Sequence, residues 1–135
     1  KHVTSLSKGT LGNIALAGAG MMMLVVGVLH LIAPQMMMEA PAIQLTTVNH
    51  LHVIRAAYGG AYLGIAALFL LGLRRERART FSLISVTLLF GGFAFGRLVS
   101  IALDGVPVGL YIAVLAFETI FAALAFFALR AEDRG

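Results

Sequence analysis

The sequence predicts an all-α integral membrane protein: one four-helix bundle with both termini on the cytoplasmic side. Of its 135 residues, 60% are hydrophobic and 12% charged, and the mean hydropathy of +0.96 lies far outside the range of water-soluble domains. Four apolar stretches, each near the ~20 residues that a spanning helix needs, are separated by short polar or proline-containing breaks. Lys and Arg gather at alternate breaks, as the orientation of a four-span protein requires. The length leaves no room for a separate soluble domain beside four spans, so residues 1–135 are read as one domain.

The first span covers approximately residues 12–33 and stops at Pro34, which cannot continue a helix without strain. It exceeds a signal-peptide apolar region in length and is read as retained. Residues 34–54 form the longest connection, with room for a short helix at the interface. Thr46 or Thr47 supplies an N-cap for the second span, residues 47–73. A tight turn with Arg74, Arg75, Arg77 and Arg79 leads into the third span, residues 80–103. Asp104, Gly105 and Pro107 mark a short turn before the fourth, residues 108–129.

Lys1, Lys8, the four arginines of the 74–79 turn, Arg130 and Arg134 all fall on one side, against Arg55 on the other. That side is expected to be the cytoplasm, with the longer 34–54 loop outside. The net charge of +4 is therefore explained by topology, and nucleic-acid binding is not expected. The absence of cysteine removes thiol redox chemistry, iron–sulfur clusters and Cys-ligated zinc.

Polar residues inside the spans align helix by helix, because positions three, four and seven apart share a face. Arg55, Tyr58 and Tyr62 form one stripe, Arg97, Ser100 and Asp104 another, and Tyr111 and Glu118 a third. His30 continues a Gly20, Met23, Gly27 stripe on the first span. At about 1.5 Å per residue, Arg97 sits roughly 10 Å below Asp104 and Glu118 roughly 16 Å below Pro107. An arginine side chain bridges that offset, so Arg97 and Glu118 are expected to face inward and meet, since either charge exposed to lipid costs several kcal/mol. Such a pair serves either to fix helix register or to build a ligand or proton site. His30, Arg55, Tyr58, Tyr62, Arg97, Asp104, Tyr111 and Glu118 are the candidate ligand-binding set of an outward-facing polar pocket.

Gly60 and Gly64 on the second span, and Gly92 and Gly96 on the third, form small-xxx-small patterns expected to bring helices close, or to seat a partner helix or flat cofactor. His30, His50 and His52 are weak metal or haem candidates. His50 and His52, two apart on a helix, point away from each other, and nothing forces His30, Glu39 and His52 together. Met21, Met22 and Met23 are expected in core and lipid contact, and Met36, Met37 and Met38 at the interface, with a copper–thioether site a minor possibility. No Ser/His/Asp arrangement, phosphate loop or His-Glu-x-x-His run is present, so no catalytic set is assigned.

Gly-x-x-His-Leu-x-x-Pro at 27–34, Arg-x-x-Tyr-Gly-Gly-x-Tyr-x-Gly at 55–64, Gly-Arg-x-x-Ser-x-x-x-Asp-Gly at 96–105 and the late Glu118 together resemble an uncharacterised bacterial family of small four-helix membrane proteins. That family is itself distantly similar to the DoxX-like group. The resemblance implies a four-helix fold in a bacterial inner membrane and brings no reaction with it; the thiols of some DoxX-like proteins are missing here. The first functional expectation is an accessory subunit of a larger membrane complex, in contact with lipids and with other subunits or copies of itself. The second is a binder or carrier in the outward pocket, where the two arginines favour an anionic or carbonyl-bearing ligand such as a lipid head group or quinone, and the third a membrane enzyme. No cofactor is required by the sequence; lipid, quinone and haem are the groups considered.

Overall fold

A computed structural model describes residues 8–134. Four helical stretches in it are long and apolar enough to cross a membrane: Gly9–Ile32, Val48–Arg74, Glu76–Asp104 and Gly109–Glu132. Helix α1 is Lys8–Ile32, and α2, Pro34–Glu39, is the short helix of the long connection. The second span joins α3 (Val48–Ile54), a π-helical stretch (Arg55–Gly60) and α4 (Ala61–Arg74) without a break; α5 is Glu76–Asp104 and α6 is Gly109–Glu132. Among the described residues there is no strand. The first span begins at Lys8, ahead of the expected start at 12, and residues 1–7 lie outside the described residues.

The breaks follow from single residues. Pro34 denies the preceding residue α geometry, so Ala33 turns to φ −136°, ψ 58°, and Pro34 restarts the chain as the first residue of α2. Helix α2 ends in a Schellman arrangement: Ala42 N donates to Glu39 O and Ile43 N to Met38 O, both at 2.9 Å, with Ala42 at φ 57° where glycine is usual. Thr47 is the N-cap of α3, its hydroxyl accepting from His50 N at 3.2 Å. Between α4 and α5 only Arg75 leaves helical geometry, so the basic turn is tighter than the expected 74–79. Gly105, at φ 99°, closes α5.

Packing is uneven along the bundle. The core lies toward the end that holds the α4–α5 turn, where Leu16, Phe69, Leu83 and Val86 are fully buried. Alanines 15, 19, 66, 125 and 128 let the backbones close around them. Ser82 joins two spans there, donating to Leu68 O at 2.7 Å. At the same end Arg79 donates from all three guanidinium nitrogens, to Glu132 Oε1 (2.9 Å), Asn13 Oδ1 (2.8 Å) and Gly9 O (3.0 Å), tying α1, α5 and α6 together. Toward the opposite end the bundle loosens: α5 buries nothing beyond Ala94, and α6 buries nothing before Glu118. Leu88, Phe95 and Leu103 are each more than 65% exposed, a surface that only lipid or another apolar chain can cover favourably.

The glycines that bring helices together are not the four expected. A Cβ on Gly60, Gly64, Gly92 or Gly96 would meet no side chain and no other helix. Their spacing is right, but the faces that carry them point away from the bundle. Close approaches occur instead at Gly12, Gly20, Gly59 and Gly72, at Gly18 under the Phe121 ring, and at Gly27. There a Cβ would lie 3.1 Å from Leu63 N and 3.2 Å from Gly59 O, so two spans meet backbone to backbone.

Candidate binding cavity

Where the bundle loosens it encloses a cavity of about 510 Å³. Arg97 and Glu118 form one wall. Arg97 Nε donates to Glu118 Oε2 at 2.8 Å and Nη2 to Oε1 at 3.1 Å, a side-on bidentate pair that bridges α5 and α6 as the depth argument requires. The Glu118 side chain is 4% exposed and that of Arg97 34%, so the acid is the buried partner. The guanidinium carbon also lies 5.9 Å from the Tyr111 ring centroid, within cation–π range.

The facing wall is aromatic. His30 stacks on Tyr58 (centroids 5.5 Å, 30° between planes), and Tyr62 meets both rings edge-on, at 6.1 Å from His30 and 5.5 Å from Tyr58. His30 Nδ1 lies 2.7 Å from Val26 O, the carbonyl one turn back. Since a carbonyl only accepts, Nδ1 carries the proton, and in the neutral ring Nε2 is left as an acceptor. Among the described residues no buried side-chain nitrogen or oxygen lacks a partner, yet neither His30 Nε2 nor the Tyr62 hydroxyl has a bond within the chain. Both therefore open onto the cavity that their side chains line. Phe93 tilts against Tyr62 at 6.3 Å, and Phe90 and Met23 close the deep end.

The long connection forms the roof. Met37, Met38, Pro41 and Ile43 all face the cavity, and the Schellman bonds between Met38 and Ile43 fix that surface. Together with Met22 and Met23, four thioethers line a space whose surface is mostly apolar, the composition expected of a site for a ligand with an apolar body.

Six of the eight candidate residues, His30, Tyr58, Tyr62, Arg97, Tyr111 and Glu118, line this cavity. Arg55 and Asp104 do not. A π stretch turns through a smaller angle per residue than an α-helix, so Arg55 falls behind the face of Tyr58 and Tyr62 and donates instead to Leu31 O, at 2.9 Å, near the end of α1. Asp104 is exposed at the end of α5 and accepts from Ser100 Oγ at 3.2 Å. The histidines do not converge. His50 Nδ1 accepts from Thr46 N at 3.1 Å as part of the α3 cap, His52 and Glu39 are exposed, and the described residues hold no group of His, Cys, Asp or Glu able to bind a metal ion.

Phe90, Phe93 and the methionines are cavity residues that polarity alone does not single out. The signal was periodicity: Phe90, Phe93 and Arg97 stand at i, i+3 and i+7 on α5, as Met23 and His30 do on α1.

A family model described as a domain of unknown function, DUF4345, matches residues 11–129, all four spans and the cavity included. The chain belongs to the DUF4345 family. No curated protein and no solved structure matches it.

Proposed function

We propose that this DUF4345 chain binds or carries a small amphiphile, a lipid or a quinone-like molecule, in the cavity between Arg97–Glu118 and His30–Tyr58–Tyr62. One observation carries the reading. Unpartnered hydrogen-bonding groups, Tyr62 hydroxyl and His30 Nε2, open into a largely apolar space of about 510 Å³, within the usual size of small-molecule sites. An apolar body fits the methionine and phenylalanine walls, and a head group with a carbonyl or hydroxyl satisfies the polar ones. All four spans and the roof line it, so a ligand there is held rather than merely touched.

The test is equilibrium binding of a monoacylglycerol and a short-chain benzoquinone to the detergent-purified chain. The chain has no tryptophan, so Val114→Trp both fills the cavity and reports on it. Saturable binding by the wild type, lost in folded Val114→Trp, is the expected result; binding of neither probe, or equal binding by both proteins, removes the proposal.

A second reading, an accessory subunit of a larger membrane complex, is favoured by the bare faces at Gly64, Gly92 and Gly96, which leave room for a helix from elsewhere. Extraction in mild detergent followed by native mass measurement tests it, and a chain running alone counts against it. For either reading we place both termini in the cytoplasm and the roof outside, in a bacterial inner membrane, because the basic residues lie at the terminal end of the bundle. With no native cysteine, single cysteines at Asp133 and Pro107 report orientation: a membrane-impermeant reagent applied from outside should label only the second.

A further inference from the structure

Resting on the amphiphile reading, we infer that the cavity selects an uncharged head group and rejects the carboxylate or phosphate of an otherwise identical molecule.

The cavity's charges are already balanced. Arg97 and Glu118 are its charged pair; His30 and three tyrosines are the other titratable groups that line it. Arg97 commits Nε and one hydrogen of Nη2 to the two oxygens of Glu118, so its positive charge is matched at contact distance by a carboxylate that is 4% exposed. Arg55, the other arginine of the polar stripes, is turned away and bonded to Leu31 O. An incoming anion thus finds no uncommitted arginine, and it brings a net negative charge into surroundings of methionine, phenylalanine and valine, where an unbalanced charge is expensive. A cationic head group fares no better, because Glu118 is almost wholly buried and its charge is already matched by Arg97.

A neutral head group meets neither obstacle. A carbonyl accepts from the Tyr62 hydroxyl or from Arg97 Nη1, which bonds to none of the described residues. A hydroxyl donates to His30 Nε2. The same pair that fixes the orientation of Arg97 makes it a hydrogen-bond donor without making the site an anion trap.

The prediction is read with two molecules sharing one tail, monooleoylglycerol and oleate, bound to the full chain in detergent at about pH 9, where the fatty acid is ionised even though a micelle raises its carboxyl well above the usual carboxylate range. The wild type should bind monooleoylglycerol at least about tenfold more tightly than oleate. Glu118→Gln keeps the shape and one acceptor oxygen but leaves Arg97 uncompensated, so its affinity for oleate should rise about tenfold or more, a gain that misfolding does not mimic. Oleate bound as tightly as monooleoylglycerol by the wild type overturns the inference and leaves the cavity a binding site. An unchanged preference in folded Glu118→Gln also overturns it. If folded wild-type chain binds neither molecule, the amphiphile reading itself falls and this inference with it. Should Glu118→Gln not fold, the wild-type preference alone decides.

Discussion

Arg97 and Glu118 share two hydrogen bonds but not the same burial: the arginine side chain keeps about a third of its surface exposed, while the glutamate keeps almost none. The two halves of the pair are therefore unequal in what their loss leaves behind. Arg97→Leu strands a carboxylate in an apolar wall and should cost about 3 kcal/mol, measured by reversible unfolding in mixed detergent. Glu118→Gln leaves the charge on the more exposed partner, whose long side chain can turn toward the open end of the bundle, and should cost about half as much or less. The double variant Arg97→Leu/Glu118→Leu should be more stable than Arg97→Leu alone; equal or greater loss would show that the pair stabilises beyond charge compensation.

Gly27 and Gly92 look alike in sequence, each inside an apolar helix, and should behave oppositely. Gly27→Ala puts a methyl against the backbone of the second span, at Leu63 N and Gly59 O, which cannot move aside. A loss of about 1–3 kcal/mol is expected. Gly92→Ala and Gly96→Ala meet nothing within the chain and, as helix-interior glycines replaced by alanine, should gain up to about 1 kcal/mol. Thermal melting of the isolated chain separates the two cases; a loss for Gly92→Ala in native membranes but not in isolation would point to a neighbouring helix on that face.

Ala42 holds a left-handed conformation at the end of α2, with its own N–H and that of Ile43 closing the motif. Ala42→Gly removes the steric penalty of roughly 1–2 kcal/mol but adds freedom to the unfolded chain, for a net gain of about 0.5 kcal/mol. Ala42→Val should loosen the roof. Limited proteolysis within residues 34–47 should be slower in the glycine variant and faster in the valine variant; the reverse order would show that the roof is held by something other than this turn.

Arg79 binds three spans through a planar fork that lysine cannot reproduce. Arg79→Lys keeps the charge, gives up at least part of that geometry, and should lower stability by about 1–2 kcal/mol. Because this contact lies at the far end of the bundle from the cavity, affinity for a bound amphiphile should stay unchanged in the folded variant. A parallel loss of affinity would mean that the two ends are coupled.

The four spans were legible because hydropathy reports depth directly, and the meeting of Arg97 with Glu118 because helical rise converts residue counts into depth. The capping role of Thr47 was legible for a local reason, a hydroxyl just ahead of an apolar run. What periodicity could not convey was a change of period. Arg55 was placed with Tyr58 and Tyr62 on the premise of an α-helix, and the π stretch breaks that premise. Spacing likewise marks Gly92 and Gly96 as small without saying which face of α5 turns inward. The roof was hidden because it arises from a chain reversal, in which residues of the long connection fold back over helices they do not resemble.

The π stretch also bears on how the chain tolerates changes in length. A π turn holds roughly one residue more than the α turn it replaces, so the second span carries a surplus residue just where Gly59 lies against Leu31 and Tyr58 against His30. Deleting one residue between Arg55 and Gly60 would let the stretch close to α geometry, and because five α residues turn through about the same angle as six π residues, the segments on either side would stay nearly in phase. Only the side chains inside the stretch, Tyr58 among them, would be re-aimed, while Tyr62 and the core residues of α4 kept their faces. One wall of this cavity is thus aimed by a surplus residue within one helix, and a single-residue deletion there can alter the lining while leaving the bundle intact.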